Sequence, residues 1–105
     1  MAMAEYAWTS FNGNAKWFEY SAVGQVGRFH PTQKPIALYE WILENYAKQG
    51  DKILDTHVGS ASSLIACQKH NFSYVGFEID EAYYQLACDR IKRETAQITL
   101  FNMEQ

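Results

Sequence analysis

Residues 52–69, KILDTHVGSASSLIACQK, decide the fold. Lys52 to Asp55 is a short apolar strand, and Ser62 to Lys69 reads as a helix. Between them lies a Gly/Ser/Ala loop. Small residues at 60–63 leave the helix N-terminus open, where unpaired backbone N–H groups attract anions. Gly59 lets the chain turn sharply or approach a ligand closely. A strand, a glycine-bearing loop and a helix form the opening of a parallel α/β unit.

The pattern continues on both sides. Upstream, Pro35 suits the first turn of a helix running to about Lys48, with Tyr39, Ile42, Leu43 and Tyr46 at i, i+3, i+4 and i+7. Gly50 closes it. Downstream, Ser73 to Ile79 reads as a second strand. Asp80 is a plausible N-cap for a helix to about Glu94, with Tyr84, Ala87, Cys88 and Ile91 at the same spacing. Gln97 to Phe101, QITLF, reads as a last strand. Strands alternating with helices imply right-handed crossovers and a doubly wound parallel sheet.

Residues 1–29 form a different segment, aromatic-rich and without sustained periodicity; residues 30–105 form the regular α/β part. Glu5 to Phe11 alternates bulky and small residues and reads as a strand. Asn12-Gly13-Asn14 is a turn signal, and Lys16 to Tyr20 is a possible second short strand.

A chain of 105 residues with a formal charge of −3 fits one globular domain. The acidic balance argues against a nucleic-acid binder held by bulk electrostatics alone. No apolar run approaches the ~18 residues of a membrane helix. The N-terminus lacks the basic and apolar regions of a signal peptide, so a cytoplasmic protein is expected. Cys67 and Cys88 fall on helices and read as small hydrophobes rather than a disulfide framework. His30, His57 and His70 have no metal-ligand spacing with them, so no metal site is expected.

Two positions carry candidate chemistry. Asp55 ends the first strand at the carboxyl edge, where open sheets bind ligands; it suits either an ammonium or the positioning of the loop. Glu78 lies 19 residues after Gly59, at the end of the next strand. An acid there can accept both hydroxyl protons of a ribose. The pair describes a site for an adenosine-containing ligand without separating NAD, FAD and S-adenosylmethionine (SAM). A single glycine favours a ligand without phosphates.

His30 to Pro35, HPTQKP, followed by a helix, then DTHVGSASS and GFEID, resembles the C-terminal part of the DNA amino-methyltransferases. These methylate N6 of adenine or N4 of cytosine with SAM. The likeness is to the circularly ordered class whose target-binding half comes first, and it covers residues 30 to about 93. HPTQKP looks like that class's motif ten, Asp55 to Ser63 like motif one (usually DPFxGSGT), and Glu78 like the motif-two acid. The resemblance implies a SAM-dependent, Rossmann-like fold. Cofactor contacts are expected from Thr32, Gln33, Lys34, Asp55, His57, Gly59, Ser60, Ser62, Phe77 and Glu78.

Thr56-His57 replaces the usual Pro-Phe, and Ala61 replaces the second glycine. The family's catalytic tetrapeptide, Asp/Ser/Asn-Pro-Pro-Tyr/Phe, is absent from the 105 residues. The expected product is therefore the cofactor-binding part of a DNA N-methyltransferase, as a fragment or split subunit. It would be inactive alone and would reach DNA only through a separate catalytic and target-recognition half. A non-catalytic α/β binding or oligomerisation module is the other reading. Loss of the neighbouring strand also predicts self-association, as a two-fold dimer that exchanges Glu5–Phe11; the alternative is a monomer in which that strand folds back onto the free sheet edge.

Overall fold

The computed structural model describes residues 7–14, 16–19 and 34–103. Five elements follow in order: α1 (Ile36–Tyr46), β1 (Lys52–Asp55), α2 (Ser62–Lys69), β2 (Ser73–Gly76) and α3 (Glu81–Met103). β1 and β2 pair in parallel, with Lys52 opposite Ser73 and Asp55 opposite Gly76. The crossover between them is α2, as the loop–helix reading of residues 52–69 requires.

Each boundary has a local cause. Pro35 is extended and precedes α1, and the Leu38 N–H bonds its carbonyl. α1 stops two residues short of Lys48. The Asp51 carboxylate captures the Lys48 N–H at 2.8 Å, and Gly50 adopts φ +92°. α2 ends where Asn71 enters the left-handed region at φ +62°, which asparagine tolerates, while the Phe72 N–H bonds the Cys67 carbonyl. Asp80 caps α3 through its side chain, accepting the Tyr83 N–H at 3.0 Å.

α2 is the hub: it packs on α1, on α3 and on both strands. Every residue from Ser62 to Cys67 is buried. One cluster joins Leu43, Ala66 and Cys67 with Ile53, Phe72 and Tyr74; a second joins Ala61, Leu64 and Ala87 with Val58, Tyr74 and Ile91. Tyr74 belongs to both. Burial pushes the Cys67 thiol above its ordinary pKa, and the nearby Asp55 charge adds to this. It packs as a neutral, small hydrophobe. Cys88 is half-buried. A short charged cluster ties the end of α2 to α1: Glu40 meets His70 Nε2 at 2.8 Å and Lys69 Nζ at 3.6 Å.

The sheet is covered on one face. Ile53, Asp55, Tyr74 and Gly76 are partly buried, whereas Leu54 and Val75 on the other face are more than half exposed. Gly76 is confined by its neighbours: a Cβ there would sit 2.5 Å from Val58 Cγ2 and 2.8 Å from Leu64 Cδ1. Gly76→Ala is expected to destabilise the chain by about 1–3 kcal/mol through overpacking. A urea titration with an unchanged midpoint would contradict that.

Three expectations are corrected. β2 ends at Gly76 rather than Ile79, because its partner β1 ends at Asp55 and the chain beyond leaves the ladder. One further pair of bonds, Phe77 N–H to Asp55 O and Val58 N–H to Phe77 O, closes that end. Gln97 to Phe101 belongs to α3, not to a strand. No glycine or proline interrupts residues 81–103, so the helix continues through them.

The described residues of the two N-terminal candidate strands, 7–11 and 16–19, are not strands. Three of them, Phe11, Lys16 and Phe18, meet α1 instead. Phe11 stacks on Tyr46 with ring centroids 5.2 Å apart, and Phe18 meets Trp41 at 5.4 Å. Lys16 Nζ donates to Asn45 Oδ1 at 3.1 Å. The segment folds back within the chain, but onto a helix rather than the sheet edge. Residues 5 and 6 of the first candidate strand and Tyr20 of the second lie outside the described residues.

Candidate functional site

Beyond Asp55 the chain makes a compact loop over the carboxyl ends of β1 and β2. Asp55 turns into this loop. Its Oδ1 accepts the His57 N–H at 2.9 Å, and its Oδ2 accepts the Ser63 hydroxyl. Asp55 thus staples the loop to the start of α2 and does not line the cleft above it.

Gly59 takes φ +58° and sends its N–H to Glu78 Oε1 at 2.8 Å. The other carboxylate oxygen, Oε2, accepts the Asp80 N–H at 2.9 Å. Glu78 therefore clips the loop to the end of the second strand. Each oxygen retains a second lone pair for a ligand hydroxyl. Ala61 is also left-handed, at φ +71°, where an L-residue costs roughly 1–2 kcal/mol. It adopts the conformation a glycine would adopt freely, so the Ala61 departure from the motif leaves the turn intact. Its N–H bonds the Val58 carbonyl at 3.0 Å, and among the described residues no side-chain bond caps α2 at Ala61. Ser60 and Ser62, at the start of the helix, line the cleft.

That cleft measures about 870 Å³ and is lined by Lys34, Tyr39, Thr56, His57, Val58, Gly59, Ser60, Ser62, Gly76, Phe77, Glu78, Ile79 and Tyr84. Its size falls within the roughly 300–1,000 Å³ of small-molecule sites. Of the residues singled out from sequence, it gathers Lys34, His57, Gly59, Ser60, Ser62, Phe77 and Glu78. Thr32 and Gln33 lie outside the described residues. His57 Nδ1 lies 2.8 Å from the Thr56 hydroxyl. Phe77 and Ile79 are well exposed on the rim. Bonding to Cys88 pushes the pKa of the Tyr84 phenol up.

Tyr39 and Tyr84 were not foreseen as lining residues. Both come from helix faces whose periodicity reads only as core. Arg90, from α3, lies beneath the loop and was also missed. Among the described residues no group of three His, Cys, Asp or Glu is placed to hold a metal, and no helix is long and apolar enough to cross a membrane.

Comparison with known proteins agrees with this arrangement. The chain is 40% identical over 65 residues to the type II methyltransferase M.HpaI of Haemophilus parainfluenzae, covering 62% of this chain and 21% of that protein. It is 35% identical over 65 residues to the type II methyltransferase M2.DpnII of Streptococcus pneumoniae, covering 62% and 24%. The chain thus spans about a fifth to a quarter of the length of these curated relatives. The crystal structure of the M1.HpyAVI–SAM complex superimposes with a TM-score of 0.59 at 34% identity, over 61% of this chain and 32% of that one. The likeness supports the partial Rossmann-like α/β fold expected from sequence. A DNA methylase family model (N6_N4_Mtase) matches residues 4–89. With most of its length matched by that model, and with the loop, the strand-end acid and the parallel crossover in place, the chain belongs to the DNA methylase family.

Proposed function

We propose that this chain is the SAM-binding part of a DNA amino-methyltransferase acting on N6 of adenine or N4 of cytosine. The observation that carries the reading is the Gly59–Glu78 clip above the start of α2, facing a cleft of suitable size. Glu78 would accept the ribose hydroxyls through its spare lone pairs. Phe77 and Ile79 offer apolar surface for the adenine. Lys34, His57, Ser60 and Ser62, with Thr32 and Gln33 from the preceding loop, would hold the methionine end, and Asp55 keeps the loop in shape. The residue set fits the ligand: carboxylate acceptors for the diol, a cation for the carboxylate, and an exposed ring beside an exposed aliphatic side chain for the base. When bound, SAM supplies an electrophilic methyl group.

Methyl transfer needs more than this site. A target amine must be oriented by the polar side chain and carbonyl of a Pro-Pro-Tyr/Phe tetrapeptide, with its aromatic ring stacked on the flipped base. No such tetrapeptide occurs in the 105 residues. Our reading assigns that role, and contact with DNA, to sequence outside this chain, and places the assembled enzyme in the cytoplasm. The exposed Leu54 and Val75 face supports association with such a partner or with a second copy.

The expected result with tritiated SAM and mixed-sequence DNA is no label in the DNA above a no-protein blank. Incorporation by the chain alone would show that the chemistry resides in residues not assigned to it.

A further inference from the structure

Arg90 is 7% exposed, on the face of α3 that packs against α2. Its Nη1 donates to the Ser60 carbonyl at 2.9 Å and to the Ser62 hydroxyl at 3.0 Å. The two acceptors, 30 and 28 residues away in sequence, belong to the loop over the cleft and to the first residue of α2. Burying a guanidinium is costly, and burial pulls its pKa down; the Glu94 charge opposes this, and Arg93 adds to it. The two bonds go to neutral loop groups, so a buried cation is spent on the shape of a loop.

That loop needs such support. Ser60 sits between two left-handed residues, Gly59 at φ +58° and Ala61 at φ +71°. This alternation takes the Ser60 carbonyl out of any helical ladder and leaves it buried. A buried carbonyl without a partner costs about 1–3 kcal/mol. The guanidinium meets it and reaches Ser62 in the first turn of α2 with the same nitrogen. Ser60 and Ser62 hydroxyls lie 3.3 Å apart, so the three groups form one small network. Two clips therefore define the loop. Glu78 fixes Gly59 from the strand side, and Arg90 fixes Ser60 and Ser62 from beneath.

We propose that Arg90 is a positioning residue for the ligand loop: by holding the Ser60 carbonyl and Ser62 hydroxyl it keeps the Gly59 amide on Glu78 and the start of α2 in place beneath the cleft, and so sets SAM affinity without touching SAM. The effect on affinity rests on the function proposed above; the effect on the loop does not.

The test uses the whole 105-residue chain as wild type, Arg90→Lys, Arg90→Ala and Ser62→Ala. Amide hydrogen exchange is followed by NMR without ligand at Gly59 and Ala61, whose N–H groups are bonded to Glu78 and Val58. Losing bonds to a charged donor should speed exchange at these two amides by about tenfold or more in Arg90→Lys and Arg90→Ala, and severalfold in Ser62→Ala. The β1 and β2 amides should keep their wild-type rates. Unchanged exchange at Gly59 and Ala61, or an equal rise throughout the sheet, would overturn the proposal. If Arg90→Ala does not fold, Arg90→Lys and Ser62→Ala decide it by the same criterion. SAM titration should then show about tenfold weaker binding in Arg90→Ala, partly restored by millimolar guanidinium filling the vacated site. Weaker binding without rescue, where the variant is folded, also overturns it. Failure of the wild type to bind SAM would sink the proposed function, while the exchange data would still judge Arg90.

Discussion

Replacing Glu78 by alanine is expected to weaken SAM binding by about a hundredfold and to lower stability by roughly 1–3 kcal/mol. The first effect has two sources. The carboxylate is the acceptor proposed for the ribose hydroxyls, and charge-assisted bonds are about twice as strong as neutral ones. It also clips the Gly59 amide, so its loss frees the loop that shapes the rest of the cleft. The second effect follows from the Gly59 and Asp80 N–H groups losing their acceptor. Glu78→Gln separates the two sources. It keeps the length of the side chain but turns an amide NH₂ toward one of the two backbone donors. Its affinity should fall between wild type and Glu78→Ala. Equal SAM affinity in wild type and Glu78→Ala, measured by calorimetry on folded protein, would remove the ribose assignment.

Ile65→Ala should have the largest effect on stability, about 2–5 kcal/mol. Ile65 is 1% exposed and, with Cys67, is one of the two largest fully buried side chains among the described residues. It lies in the middle of α2, the element that every other layer packs against. Among the described residues the buried hydrophobic set is concentrated on that helix, so the cavity would open at the centre of the packing. Against a total stability of about 5–15 kcal/mol for a domain, such a loss is a large fraction. A thermal melt should show a fall of 10 °C or more. Because the N-terminus of α2 is the floor of the cleft, ligand affinity near the melting range should fall with it. A melting temperature within a degree or two of wild type would mean that α2 is not the hub.

The elements most legible in the sequence were those fixed by local chemistry. α2 runs from Ser62 to Lys69 as read, because a loop of small residues ends where a run free of glycine and proline can begin a helix. β1 spans the KILD run, and Asp80 caps α3 as its position before Glu81 suggested. Misreadings came where pairing decides the outcome. Phe77 to Ile79 alternate like a strand, but only Phe77 still bonds the chain beyond β1, and the ladder goes no further. Gln97 to Phe101 carry β-branched Ile98 and Thr99, yet nothing between them and α3 breaks the helix. Phe11 and Phe18 stand among small or polar residues, but their rings meet Tyr46 and Trp41 of α1 rather than a sheet.

For the site, Gly59 and Glu78 were legible because their spacing reflects one βαβ unit; that they bond directly was not. Asp55 was recognised, but its direction into the loop depends on Ser63, one turn of chain away in space and eight residues on in sequence. Arg90 left a faint signal: it follows Ala87 by three residues, placing a charge on the buried stripe of α3. A cation on an apolar stripe calls for an acceptor, and only the folded chain shows that the acceptor is the ligand loop.

The central claim is that this chain holds SAM by itself. Calorimetric titration of the purified 105-residue chain with SAM and with its demethylated product tests it most directly. The account predicts saturable one-to-one binding of both, with heat lost in Glu78→Ala. A folded chain that gives no saturable heat with either ligand up to millimolar concentration would contradict it.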